Sequence, residues 1–162
     1  MAQTVADNTP TRVVELVVNL DDTTGEAVGR ACATLLDAGA LDVWTTAITM
    51  KHGRPGVMLS LLAGEDERDR FARLMLEATG SFGVRARPWD RVVLERELIE
   101  TPTRLGPVRL KVGRLDGVVV SIKPEFADVE RLASASGVSL GEALAAAQAE
   151  ADRWRAAQGG RG

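Results

Sequence analysis

The sequence predicts an α+β fold: a ferredoxin-like split βαβ core followed by a C-terminal β-hairpin and a helical extension. Three observations carry this prediction. Branched and apolar residues recur in runs of strand length, several of them alternating with polar residues. Helix-start and helix-stop signals fall between those runs. The resulting order, strand, helix, strand, strand, helix, strand, is that of the split βαβ motif. With 162 residues, the chain holds one well-buried core of ordinary size, so residues 11–157 are expected to form a single domain.

Residues 1–10 are polar and end at Pro10, which predicts a disordered leader. From Arg12 to Leu20, Val14, Leu16, Val18 and Leu20 fall on one side, as in a half-buried strand. Thr23-x-x-Glu26 then reads as a capping box, in which hydroxyl and carboxylate satisfy two orphan amides, and the helix it opens stops before Gly39. Leu41–Met50 and Val57–Leu62 flank a turn containing Gly53, Pro55 and Gly56, and so read as an antiparallel pair. Glu65–Ala78 is a second helix with Phe71, Leu74, Met75 and Ala78 as its inner stripe. Phe82-Gly83-Val84-Arg85 follows, and the fourth strand of the core is expected from about Arg91 to Glu100.

Beyond a turn at Pro102–Pro107, Val108–Val112 and Val118–Ile122 form a hairpin across the Asp116-Gly117 turn signal. Glu125–Ser134 is helical. Ser139-x-x-Glu142 caps a last, Ala-rich helix running to about Ala157, with 158–162 a frayed tail.

Composition excludes several chemistries. One cysteine, Cys32, and one histidine, His52, make neither a disulfide framework nor a histidine-rich nickel or zinc site within one chain, so a bound metal is expected to have oxygen ligands. A net charge of −3, with arginines spread among acids, argues against a nucleic-acid footprint. No apolar run approaches the roughly 20 residues that cross a bilayer, and no basic-then-apolar leader is present, so a cytoplasmic address is expected. No Walker loop, Gly-x-Ser-x-Gly or His-Glu-x-x-His motif occurs.

Positive chemistry gathers at two places. Asn19-Leu20-Asp21-Asp22 ends a strand in adjacent acids, and Lys51-His52-Gly53-Arg54-Pro55-Gly56 is a basic turn. If the strands carrying them lie side by side, carboxylates that orient a divalent cation face a lysine and an arginine that hold phosphates. Each part also has a plain structural reading. Acids before a helix stabilise its positive end by roughly 0.3 to 1 kcal/mol, and a basic turn at a sheet end is often merely solvated. Arg85, one strand further on, adds positive charge to the same set. Lys123-Pro124-Glu125 closes a strand and opens a helix, which by itself needs no function.

Asn19-Leu20-Asp21-Asp22 with Thr24-Gly25-Glu26, Ala38-Gly39-Ala40-Leu41-Asp42-Val43, Met50-Lys51 with Arg54-Pro55-Gly56, Gly83-Val84-Arg85 and Lys123-Pro124-Glu125-Phe126 occur in one order over 12–154. Together they resemble the C-terminal half of LarC, the nickel-insertion family that matures the nickel-pincer nucleotide cofactor of lactate racemase. The resemblance implies a CTP-dependent cyclometallase that inserts nickel into pyridinium-3,5-bisthiocarboxylate mononucleotide. It implies CTP with Mn2+ or Mg2+ as the ligand, with Asp21 and Asp22 orienting the cation and Lys51 and Arg54 holding the triphosphate. Gly53 and Gly56 would let backbone amides approach the phosphates. Asn19, Lys123 and Glu125 lie on matched motifs without an assigned role. Full-length members carry a large N-terminal part, so an N-terminal LarC-like chain is the implied partner, and a homo-oligomer is expected from exposed sheet edges. Two other readings stay open: a non-catalytic nucleotide-binding or cofactor-binding sensor module, and an oligomerisation domain whose turn charges are only solvated.

Overall fold

The computed structural model describes residues 12–159; the leader expected at 1–10 and the tail from 160 onward lie outside the described residues. β1 (Arg12–Leu20) alternates as its sequence requires. Val14, Leu16, Val18 and Leu20 are at most 5% exposed and point into a core, while Glu15, Val17 and Asn19 take the opposite face. α1 (Gly25–Asp37) buries Val28, Ala31 and Leu35 on that core. Its N-cap is Thr24, whose Oγ1 accepts from the Ala27 amide at 3.3 Å, one residue beyond the Thr23 expected from the capping-box pattern.

β2 (Asp42–Met50) and β3 (Arg54–Gly64) are the expected antiparallel pair, with Met50 opposite Arg54 across the turn 51–53. α2 (Arg68–Thr79) contributes Phe71 and Met75, both fully buried, and ends on Gly80 at φ 69°, a left-handed cap that suits glycine. β4 is Arg85–Asp90. The sheet runs β2-β3-β1-β4, every neighbour antiparallel, which is the ferredoxin-like order. The expected fourth strand at about 91–100 is therefore displaced. The core closes earlier, on a strand that contains Pro88 opposite Val14. β4 pairs on one side only, and an edge strand tolerates the missing proline amide.

The long run after residue 91 founds a second sheet instead. β5 (Glu95–Thr103), β6 (Gly106–Leu115) and β7 (Val118–Pro124) form an antiparallel meander in chain order. Val108, Leu110, Val112 and Ile122 point to α3 (Phe126–Ser136) and α4 (Leu140–Gly159). Ser139 Oγ accepts from the Glu142 amide at 3.2 Å, as the sequence predicts. Ala143, Ala147 and Ala151, spaced by one helical turn, are the buried stripe of α4 and let it sit close on the sheet. α4 continues to Gly159, into residues that the sequence reading places in the tail.

Where the sequence suggests a single domain over 11–157, the described residues fall into two compact units, 12–92 and 93–159. Each has a sheet, two covering helices and its own apolar cluster. The irregular link 91–94 separates two complete sheet-and-helix layers rather than two strands of one sheet.

Candidate functional site

Three strand ends lie side by side at one end of the four-stranded sheet in the unit 12–92. The β1–β3 register sets Leu20 opposite Val57 and Asn19 opposite Met58, so the acidic end of β1 lies beside the turn that opens β3. The β1–β4 register sets Val17 opposite Arg85, which brings the start of β4 to the same end. Two side-chain contacts result. Arg54 Nη1 donates to Asp21 Oδ2 at 3.5 Å, and Arg85 Nη2 donates to Asn19 Oδ1 at 2.7 Å.

The two members of the first pair differ in exposure. The Asp21 side chain is 19% exposed, that of Arg54 62%. A long ion pair with a solvated guanidinium contributes between nothing and about 1 kcal/mol, so the Arg54–Asp21 contact holds neither side chain strongly. Asp22 is exposed in the turn before α1, and Lys51 opens the exposed turn 51–53. His52 takes φ 62° and ψ 21° there and is exposed, a turn residue rather than a buried base.

The two glycines do different work. Gly53 has φ +71° and nothing within 4 Å of a built Cβ, so its conformation is what calls for glycine. A Cβ on Gly56 would lie 2.8 Å from the Leu20 carbonyl oxygen and 3.2 Å from the Met50 sulfur. Gly56 is thus a close-packing position that lets β3 seat the end of β1.

The donor set also bears on the expected cation. Among the described residues no group of three or more His, Cys, Asp or Glu side chains is placed to hold a metal ion. Asp21, Asp22 and the Asn19 amide oxygen are hard oxygen donors. They fit a cation that takes one or two protein ligands and the rest from phosphates and water, as Mg2+ commonly does with nucleotides.

The nickel insertion protein family model matches residues 1–144. The chain belongs to this family. It is 40% identical over 144 residues to a Myxococcus xanthus protein named for nickel insertion, covering 89% of this chain and 36% of that one. It is 35% identical over 133 residues to the pyridinium-3,5-bisthiocarboxylic acid mononucleotide nickel insertion protein of Lactiplantibacillus plantarum, covering 82% and 31%. Among solved structures, it is similar to the C-terminal domain of a cyclometallase involved in the synthesis of the NPN cofactor of lactate racemase, in its apo form. That likeness has a TM-score of 0.80 and 34% identity, and covers 87% of this chain and 97% of the other. The chain spans about a third of the length of the curated relatives it matches and corresponds to the C-terminal domain of the family.

The remaining motif residues, Lys123 and Glu125, lie in the other unit, 93–159. Glu125 accepts an ion pair from Lys111 Nζ at 2.7 Å, and its backbone amide donates to the Arg109 carbonyl at 2.8 Å. Sequence reasoning missed two features there. Asp128 is only 6% exposed and accepts from the Arg109 amide at 2.9 Å, from its Nε at 2.8 Å and from its Nη2 at 3.1 Å. These hydrogen bonds hold its carboxyl at about 2, well below the usual carboxylate value of 3.8. The other is the alignment of Arg96, Lys111 and Lys123 around one cavity. In the sequence, its only signal is that two of three lysines fall on consecutive strands.

Proposed function

We propose that the chain is the metal-CTP-binding subunit of a nickel-insertion system that loads nickel into pyridinium-3,5-bisthiocarboxylate mononucleotide. The observation that carries this reading is the juxtaposition of Asn19, Asp21, Arg54 and Arg85 at one end of the four-stranded sheet, with contacts of 3.5 and 2.7 Å. Its support is chemical. A triphosphate needs several donors of positive charge in a small space, and Arg54, Arg85 and Lys51 come from three different segments of that sheet end. Arginine makes two-pronged contacts to phosphate, whereas lysine acts as a point charge. Asp21 and Asp22 orient an oxygen-liganded Mn2+ or Mg2+ when the nucleotide brings it, and the ion neutralises part of the triphosphate charge. Nickel is the cargo of this system.

The reading gains weight from the names of the relatives, which tie the family to nickel insertion and to the lactate racemase cofactor. Because the chain covers about a third of those relatives, nickel loading is assigned to the assembly with an N-terminal LarC-like chain. The test is substitution at the exposed turn. The double variant Lys51→Ala/Arg54→Ala is expected to keep the fold, since neither side chain is buried, and to bind CTP at least roughly tenfold more weakly, a loss of about 1.4 kcal/mol. An unchanged CTP affinity in the folded double variant would remove these residues from the site.

A further inference from the structure

We propose that the unit 93–159 carries a second anion site, built for a phosphate monoester, on the open face of its three-stranded sheet. Leu110, Val112 and Ile122 point to the helices, so alternation places Lys111, Gly113, Ser121 and Lys123 on the other face. The register sets Lys111 directly opposite Lys123 and Gly113 opposite both Ser121 and Arg96. Arg96, Lys111, Gly113, Ser121, Lys123 and Leu94 line an open pocket of about 310 Å³, at the lower end of the range for small organic ligands.

Charge makes this arrangement unusual. Like charges directly opposite on neighbouring strands repel and destabilise a sheet. Glu125 offsets one of the two, through its 2.7 Å pair with Lys111; among the described residues Lys123 has no ion-pair partner. An uncompensated ammonium beside a guanidinium and a hydroxyl is a donor set for a multiply charged oxyanion. Gly113 shapes the floor. A Cβ there would lie 2.7 Å from Leu94 Cδ1, so Leu94 lies down over the strand and gives the cavity an apolar wall beside its charged one. A phosphate monoester of a small organic molecule matches both walls: the phosphate meets the lysines, Arg96 and Ser121, and the organic part meets Leu94 and Gly113. The site lies wholly within 93–159 and does not rest on the nucleotide site proposed for 12–92.

The test is an amide-resolved NMR titration of the whole chain with nicotinate mononucleotide, with inorganic phosphate in parallel. Saturable shifts are expected at Gly113, Ser121 and Lys123 with both probes, stronger binding by the mononucleotide, and weakening with added salt. Lys123→Ala is expected to reduce the mononucleotide affinity at least roughly tenfold, while the amides of Leu110, Val129 and Ala147 stay in place as a check on the fold. Lys123→Met, which keeps most of the length of the side chain without its charge, carries the same expectation should the alanine variant unfold. The proposal is overturned by an absence of saturable shifts at these amides, by shifts confined to 19–21, 51–56 and 85, or by wild-type affinity in a folded Lys123 variant.

Discussion

Asp21 and Asp128 are both carboxylates beside an arginine, yet their surroundings give them opposite uses. Asp128 is nearly buried, and three donors of Arg109 fix it, with Arg131 at 3.5 Å as a fourth contact. The geometry ties β6 to α3 and leaves nothing for a ligand. Asp21 has one long contact to a largely exposed guanidinium, which leaves its carboxylate weakly engaged. The difference is measurable in pH dependence. The folded carboxyl of Asp128 titrates at about 2, below its ordinary 3.8, so its contribution is fully present above pH 4 and is lost as pH falls through 2. That contribution is on the order of 2 kcal/mol. Asp128→Asn is expected to lower the denaturant-derived stability by roughly 2 kcal/mol near neutrality and to flatten its decline between pH 4 and 2. An Asp128→Asn protein with unchanged stability and an unchanged acid limb would deny Asp128 this role. None of this was legible in the sequence, where Asp128 is one of 23 acids and its partner lies 19 positions away.

Elements were more legible than their grouping. The first three strands and all four helices follow from alternation, capping residues and glycine stops, because those signals are local. The fourth strand is misplaced by the sequence because Arg85–Asp90 contains Pro88, and only its position at a sheet edge makes that proline acceptable. The 51–56 turn shows the same contrast between local and tertiary causes. Gly53 is needed for its positive φ, a local property. Gly56 is needed because the Leu20 carbonyl approaches it, which only the β1–β3 pairing reveals. Gly56→Ala is expected to be destabilising by about 1 to 3 kcal/mol, because backbone must shift. Gly53→Ala is expected to cost about 1 kcal/mol, through its left-handed conformation. Urea midpoints of the two variants check the order. A Gly56→Ala protein as stable as wild type would contradict the close approach.

At the scale of the whole chain, two separate cores divide the motif residues. Asn19, Asp21, Asp22, Lys51, Arg54 and Arg85 belong to the unit 12–92, Lys123 and Glu125 to the unit 93–159. The sequence resemblance treats these motifs as one series, and the fold divides them between two units: the acid-base sheet end of the proposed metal-nucleotide site in one, and the basic sheet face of the proposed anion site in the other. No helix among the described residues is long and apolar enough to cross a membrane. We propose that the chain, about a third of the length of its relatives, suffices to recognise CTP. Calorimetric titration of the purified chain with CTP, with and without Mn2+ and with ATP as the control, tests it most directly. Binding that is stronger with Mn2+ and stronger for CTP than for ATP, each by roughly tenfold or more, is the predicted result. Failure to bind CTP under either condition, in a folded protein, would contradict it.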